Sequence, residues 1–584
     1  MTAVNSLMNK IGIRSEVKHW DSRTTISPQD LPALPKSLTI RFENDGERSR
    51  PFKQRVFSNE EILAAGQKGG ARTEIGHDLD DCPVIIGTKE IKEVYMQVET
   101  TETDAARVLS NEIATMLPHF SFDPQLNQMR LTEFLTADET ATLRKMARKT
   151  GLGKRTDELI ARQESLIEHG KAYMLFSHAH KGQAYNMRML QRFIDRRCIL
   201  LDYELLRTEQ EGGWKRTVSY GNWAGIIGML EALWAYGEHF SLRRNTCHPF
   251  RKIRGSRCFN STLFEYSSLA DIKRTVQEIA TEIRENGLPE AVTIGITGHR
   301  GEAGSGVLEL LQKCGLPLIE LDPDKFVAAG RKQLRLDAIY LIKLDYEHLY
   351  RPKSTADIGN ATLKSLIKGG QGQLLESNLD TFFDKLSIFI NCIVWNKESP
   401  RLLTNGFLRK KYEESKTDRH RLLPVIGDIT CDPNGSVQCC RDTYPDKPVY
   451  MWIPKKGKEP ILPDFDLKKT DANFEYFDLS RRGFVVMAVT NLPCEIPRDA
   501  SNAFSKAFCE KRRELGGKSY VECLAEADFS ADFEDCGLPP ALRDAVILYK
   551  GQFNGSNRQL MLKEICLAML ETETIKPEHV LSML

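Results

Sequence analysis

The chain has 584 residues, 41% hydrophobic and 28% charged, with a formal net charge of +1. That length is long for one hydrophobic core and predicts two or more domains. The near-zero charge excludes a global field for nucleic acid or an anionic membrane, so an anionic ligand has to be held by local groups. No apolar run has the length of a membrane span, and Met1 to Arg14 lacks the apolar stretch of a secretory signal, so a cytoplasmic location is expected. The last three residues, Ser582-Met583-Leu584, are a loose relative of the peroxisomal tripeptide with methionine in place of the basic residue, which leaves that compartment open. The 14 cysteines are scattered singly apart from Cys439 and Cys440, without paired C-x-x-C spacing, and read as buried thiols rather than a zinc site.

The first charged cluster runs from Arg14 through Glu16, Lys18, His19 and Asp21 to Arg23. Arginine grips carboxylates with two parallel N–H groups, so Arg14 and Arg23 suit substrate carboxylates; a solvated charged stretch accounts for the same residues. The second, Ile86-Gly87-Thr88-Lys89-Glu90, puts a charged pair at the end of a predicted buried strand, Val84–Gly87, where ligands sit in open α/β sheets. A lysine desolvated there exchanges protons near neutrality. From about 101 to 170 the sequence turns polar and helix-prone, which predicts an inserted helical element on the surface.

The third cluster is Phe176-Ser177-His178-Ala179-His180-Lys181-Gly182-Gln183, after the strand-like run Tyr173–Phe176. Histidine is tuned for acid and base work at neutral pH, and the sequence offers no third ligand group that would make the histidine pair a metal site. The fourth runs from Asp202 and Glu204, after a strand at 198–201, to Lys215 and Arg216, followed by small residues at 221, 224, 225 and 228 that allow close helix packing or ligand approach. Leu269, Ile272, Val276, Ile279 and Ile283 repeat at helical spacing and predict a connecting helix from Ser268 to Asn286.

Next comes Val292-Thr293-Ile294-Gly295-Ile296 and, straight after it, Gly298-His299-Arg300-Gly301-Glu302-Ala303-Gly304-Ser305-Gly306. A buried strand, a glycine turn and the helical pattern from Val307 present backbone amides to a pyrophosphate. The following strand ends near Asp322, an acid suited to an adenosine ribose, which favours NAD over NADP; Arg331-Lys332 is a rival phosphate site. Segments 350–373 and 455–471 read as mobile loops, and further strands are predicted at 388–393 and 484–487. Strands alternating with helices give an α/β fold with parallel sheets.

These residues resemble a known family, the lysine-forming saccharopine dehydrogenases and the lysine-ketoglutarate reductases, which are related to alanine dehydrogenase. The similarity lies in Arg14-x-Glu16-x-Lys18 to Arg23, in Gly87-x-Lys89-Glu90, and in Phe176-Ser177-His178 with Lys181 and Gln183. It continues in Trp395 with Pro400-Arg401-Leu402-Leu403-Thr404, Gly427-Asp428-Ile429-Thr430-Cys431-Asp432 and Pro497-Arg498-Asp499-Ala500-Ser501. The resemblance implies two Rossmann-like domains with parallel sheets flanking an interdomain cleft, plus the helical insert. The substrate domain would span 1–230, completed by about 490–584, and the NAD(P)-binding domain 231–489.

The implied reaction interconverts saccharopine with L-lysine and 2-oxoglutarate through an imine, with hydride exchanged with a nicotinamide. Lys89 and His178 are then the catalytic proton-transfer pair, and Arg14, Arg23, Glu90, Lys181, Glu204 and Arg216 bind substrate. Gly298, Arg300, Gly301, Ala303, Gly304, Gly306, Asp322 and Asp428 hold the cofactor, NAD with NADP open. The implied partners are small molecules, without metal, nucleic acid or membrane. The family cysteine of the glycine turn is Ala303 here, and the insert is atypical. The chain also ends without a second catalytic unit, which implies a single step. A related opine or amino-acid dehydrogenase, and a silent nicotinamide-binding regulator, keep the same fold.

Overall fold

The computed structural model describes residues 9–574 except 19, 45–54, 125–126, 211–212, 255–267, 332, 396–397, 419–421, 433, 446, 455–473, 476–478 and 555–557. The expected loop at 455–471, the Ser582-Met583-Leu584 terminus, His19 and Lys332 lie outside the described residues. The chain divides into two compact units, Met1–Ser219 with Pro497–Leu584, and Tyr220–Ile496.

In the first unit, β1 (Lys10–Ile13), β2 (Thr39–Glu43), β3 (Arg72–Gly76) and β4 (Val84–Ile86) are short, with β4 wholly apolar and the outer β2 and β3 mixed. The insert then adds β5 (Val94–Gln97), β6 (Phe120–Asp123) and β7 (Gln128–Leu131), an antiparallel sheet in the order β5-β7-β6, with helices Thr103–Ile113, Ala137–Lys149 and Gly153–Glu164. The purely helical expectation for 101–170 is therefore corrected. Phe120 and Phe122 are buried while Ser121 and Asp123 are not, a period of two hidden in polar sequence. Val94, Leu109, Ile113, Met129, Leu131, Leu143 and Leu159 give the insert a core of its own.

The main sheet resumes with β8 (Ala172–Leu175) and β9 (Ile199–Asp202), followed by the hairpin β10 (Arg207–Gln210) and β11 (Gly213–Arg216). Strands β9, β8, β4, β1, β2 and β3 are neighbours in that order and parallel, with β4, β8 and β9 buried along their whole length, as a sheet covered on both faces requires.

The second unit opens with the long helix Gly221–Arg244. Its sheet holds β12 (Val292–Thr297), β13 (Leu318–Leu321), β14 (Ile339–Leu344), β17 (Ile388–Asn391), β18 (Val425–Asp428), β19 (Val449–Trp452), β20 (Phe474–Glu475) and β21 (Phe484–Met487), in the order β13-β14-β12-β17-β18-β21-β19-β20. A hairpin of β15 (Tyr350–Pro352) and β16 (Leu375–Ser377), with helix Leu363–Lys368 between, occupies the segment expected as a mobile loop at 350–373. Thr362 caps that helix and Leu366 is buried, so its glycines end elements rather than dissolve them. Helix Leu269–Asn286, expected as a connector, lies inside the second unit, whose boundary falls earlier, at Tyr220. Its first turn is capped by the Ser268 hydroxyl, and Ile272, Val276, Ile279 and Ile283 are buried in the same core as β12.

The chain returns to the first unit with helix Pro497–Cys509 and the strands β22 (Val546–Tyr549) and β23 (Gln552–Phe553), which extend the main sheet antiparallel beyond β9. Among the described residues the cysteines are free thiols, buried apart from exposed Cys247 and half-buried Cys431, and no helix is long and apolar enough to cross a membrane.

Candidate functional site

Four charged clusters, distant in sequence, follow the carboxyl ends of β1, β4, β8 and β9, which lie side by side and point the same way. The parallel sheet therefore gathers Arg14–Arg23, Gly87–Glu90, Ser177–Lys181 and Glu204 along one edge, where side chains are free of the ladder and accessible to ligand.

Glu90, buried, is the centre of the first group. Lys18 Nζ donates to its Oε1 at 2.7 Å, and His178 Nδ1 lies 3.5 Å from Oε2, a contact looser than a hydrogen bond. Burial alone would raise the Glu90 carboxyl, but Lys18, His178 and Lys89 together hold it well below the usual carboxylate range. Lys89 is pushed down to about 8, first by desolvation and then by the Lys18 charge, with Glu90 opposing and Arg23 adding to the fall. His178 sits at a φ of 50°, left-handed backbone that a non-glycine residue adopts only when its surroundings impose it.

That imposition comes from Asp202. Its Oδ2 accepts from Ser177 N at 3.1 Å and from Ser177 Oγ at 2.5 Å, its Oδ1 accepts from Glu204 N at 2.8 Å, and Asn186 Nδ2 donates to Ser177 O at 2.8 Å. One carboxylate thus fixes both the turn carrying His178 and the turn carrying Glu204. Asp202→Asn is expected to lower kcat roughly tenfold or more by loosening His178, with little change in nucleotide affinity; steady-state kinetics beside a nucleotide titration checks this.

Glu204 gathers the second group: Lys181 Nζ at 3.0 Å, Arg216 at 2.9 Å and His180 Nε2 at 3.5 Å. Burial would raise its carboxyl, but Arg216 and Lys181 outweigh it and hold the group at about 2. His180, Asp202 and Glu204 also lie close enough to share a cation, a third ligand that sequence alone did not reveal. The two histidines are not a pair, since His178 faces Glu90. A cation at this cluster would displace Lys181 and Arg216 from Glu204, so the cluster is read as an ion-pair network.

Two predicted substrate arginines are engaged within the protein. Arg23 is almost fully buried and grips Asp21 with Nε at 2.9 Å and Nη2 at 2.6 Å. The segment just after it is held by the returning helix, Thr24 N donating to Ser501 Oγ at 3.0 Å and Ser27 N to Ser505 Oγ at 2.9 Å. Arg14 Nη1 lies 3.4 Å from Glu16 Oε2 and 3.5 Å from the Lys89 carbonyl. It lines a cavity of about 460 Å³ shared with Glu43, Tyr95, Arg162, Glu168 and Tyr173, to which Lys89, Glu90 and His178 do not contribute. The Arg23 expectation shifts from a direct carrier of substrate carboxylate towards support for its own segment, whereas Arg14 keeps Nη2 buried without a hydrogen-bond partner.

The glycine turn of the second unit forms as its sequence requires. Gly298 has a φ of 61°, and a β-carbon there would lie 2.5 Å from the Cys392 carbonyl oxygen. Gly301 caps helix Glu302–Lys313 without a side-chain bond and is exposed, with only the Gly298 carbonyl oxygen, at 3.3 Å, near a would-be β-carbon. Amides of the first helical turn are thus open to an anion while the buried glycines serve packing: Gly304 against the turn, Gly306 against Asn222, and the Ala303 carbonyl against Gly225. The small residues of helix Gly221–Arg244 are explained by this contact and by Gly228 against Ile429. These observations fit a dinucleotide pyrophosphate.

Two further cofactor expectations need correction. Strand β13, which leads to Asp322, is the sheet edge, and β14 lies between it and β12. Asp322 spends its side chain capping helix Pro323–Ala329 through Lys325 N at 3.0 Å. The acid beside the turn is Asp345, directly after β14, and Arg300 Nη2 donates to its Oδ2 at 2.9 Å. Asp428 is buried, accepting from Asn391 Nδ2 at 2.9 Å and Thr430 Oγ at 2.7 Å, so its carboxylate braces the ends of β17 and β18. Arg331, the rival phosphate ligand, reaches back to the Ala291 carbonyl at the amino end of β12, away from the turn.

The fold and these strand-end clusters define an α/β protein of two Rossmann-like units. No protein-family model matches the chain. It is similar to alpha-aminoadipic semialdehyde synthase of Arabidopsis thaliana, 27% identical over 399 residues that cover 65% of this chain and 32% of that protein. The mitochondrial alpha-aminoadipic semialdehyde synthase of Rattus norvegicus is 24% identical over 403 residues, 66% of this chain and 39% of that protein. Saccharopine dehydrogenase [NAD(+), L-lysine-forming] of Schizosaccharomyces pombe is 24% identical over 359 residues, 60% of this chain and 71% of that protein. Its curated relatives are thus of the kind its motifs resemble, and the chain matches well under half the length of the first two. Among solved structures an L-alanine dehydrogenase covers 95% of the chain at 12% identity and a TM-score of 0.45.

Proposed function

We propose that the chain is a nicotinamide-dependent oxidoreductase of amino-acid metabolism that interconverts saccharopine with L-lysine and 2-oxoglutarate. The observation that carries this reading is the convergence of Lys18 and His178 on the Glu90 carboxylate, whose charge also acts on the neighbouring Lys89, at the ends of adjacent parallel strands. An amine held near 8 carries its proton at neutral pH but gives it up readily, so it can donate a proton, and once deprotonated take one from a substrate ammonium, as carbon–nitrogen bond formation and cleavage require. Glu90 balances the positive charge that Lys18 and Lys89 bring together, and His178 moves the second proton, to and from the oxygen lost as water. Lys181 and Arg216, both partly exposed, give substrate carboxylates a partner at the price of loosening Glu204. The Gly298–Gly306 turn and the acid at 345 hold the dinucleotide, which supplies or takes up the hydride.

The test follows NADH and NADPH oxidation through loss of reduced-nicotinamide absorbance, with lysine and 2-oxoglutarate present. Turnover that needs both substrates is expected; nucleotide binding without turnover would sink the reading. The burial of Arg23 in its ion pair with Asp21 favours one alternative, an amino acid or opine with fewer carboxylates, which turnover on such a substrate but not on lysine would establish.

A further inference from the structure

We infer that Arg300 is the residue that admits a 2′-phosphate, so that the second unit accepts NADPH as well as NADH, with Asp345 holding the ribose of the latter. This rests on the nicotinamide reading above. Sheet order makes Asp345 the acid that ends the strand next to the one leading into the glycine turn, because β14 pairs directly with β12 along its whole length from Val292–Ile339 to Thr297–Leu344. A bare carboxylate there accepts from ribose hydroxyls and repels a 2′-phosphate. It is not bare. Arg300, within the turn and immediately before Gly301, donates to Asp345 and remains 74% exposed, so the guanidinium is tethered at one nitrogen and open elsewhere. His299, next to it, has Nε2 3.9 Å from the other Asp345 oxygen.

The pair has little net charge, which removes the repulsion that a lone acid would exert. An exposed ion pair is worth at most about 1 kcal/mol, so sharing the guanidinium with a dianionic phosphate costs Arg300 little. The same side chain can therefore keep Asp345 neutralised through Nη2 and bring its exposed N–H groups to the phosphate when the ribose carries one. Both acids begin short helices, Asp345 at Tyr346–Leu349 and Asp322 at Pro323–Ala329, but Asp322 follows the edge strand, with β14 between it and β12, and has no part in the choice.

The experiment measures dissociation constants of NADH and NADPH by nucleotide fluorescence, using the full chain as wild type, Arg300→Leu, Arg300→Lys, Asp345→Asn and Asp322→Asn. Thermal unfolding of each variant serves as the folding control. Wild type should bind the two nucleotides within roughly tenfold of each other. Loss of a charge-assisted contact should make Arg300→Leu bind NADPH about tenfold or more weakly with NADH nearly unchanged, and Arg300→Lys should recover part of the loss. Asp345→Asn should weaken NADH selectively, and Asp322→Asn should leave the ratio unmoved. An unmoved ratio in Arg300→Leu, or a ratio that moves in Asp322→Asn instead, overturns this inference alone. Wild type that binds neither nucleotide overturns the nicotinamide reading and this inference with it.

Discussion

Lys89→Met is expected to cut turnover by about a thousandfold, leave nucleotide affinity unchanged, and raise thermal stability at neutral pH. The first effect is the loss of a positioned proton carrier, for which a factor of roughly 10² to 10⁴ is typical. The third follows from burial. Desolvation, reinforced by Lys18, brings the amine from 10.5 down to about 8, so the folded chain binds the proton less tightly than the unfolded one does. The cost to folding is fully present below about pH 8, declines as pH rises from there, and is gone above the unfolded value of 10.5. A shift of that size corresponds to roughly 3 kcal/mol at most. Methionine keeps the length and removes the charge, so urea denaturation should show the variant more stable than wild type at pH 7 and the advantage shrinking by pH 10.5. In the direction that consumes saccharopine, kcat/KM of the wild type should climb through a limb near pH 8 that Lys89→Met lacks. A variant less stable at every pH would mean that Lys89 is held by interactions stronger than its desolvation.

The strands were legible wherever burial on both faces wrote a continuous apolar run, as at β4, β8, β9, β12, β17 and β21. The four charged clusters were legible for a related reason: each directly follows such a strand or, at β1, a short apolar run. Their convergence was not, since pairing order is a property of the sheet and is written nowhere locally. The same gap explains Asp322, chosen because it follows the next strand in sequence, whereas Asp345 follows the next strand in space. The insert's small sheet was missed because its alternation is carried by a few aromatics among polar residues. Lys18 stood in the opening motif without a role, and its partner Glu90 is 72 residues away, a distance only folding closes. Arg14 and Arg23 looked like carboxylate clamps, and the carboxylates they hold, Glu16 and Asp21, were two residues away in each case. Composition does not distinguish an arginine awaiting a ligand from one already paired.

Gly306→Ala is expected to destabilise the second unit on the order of 4 kcal/mol and to abolish nucleotide binding. Helix propensity alone argues the other way, because alanine in a helix interior gains about 1 kcal/mol over glycine. Packing decides. A β-carbon at 306 would lie 1.9 Å from the Asn222 carbonyl oxygen, and one at 225 would lie 1.9 Å from the Ala303 carbonyl oxygen, so helices Gly221–Arg244 and Glu302–Lys313 meet backbone to backbone on both sides. No rotamer relieves such a clash, and a helix has to move. Close-packed interiors do not yield smoothly to displacement, and losses above 4 kcal/mol are confined to such defects. Moving Glu302–Lys313 also carries away the amides of its first turn, which is why binding falls with stability. Gly301→Ala separates the two effects. Its β-carbon would meet only the Gly298 oxygen at 3.3 Å and its φ of −84° suits any residue, so it should fold within about 1 kcal/mol of wild type. Its methyl group crowds the open amides, so nucleotide affinity should still drop about tenfold or more. Denaturation and nucleotide titration on both variants decide the matter: if Gly306→Ala unfolds at the wild-type midpoint, the two helices are not in backbone contact; if Gly301→Ala binds as wild type does, the phosphates do not sit at this turn.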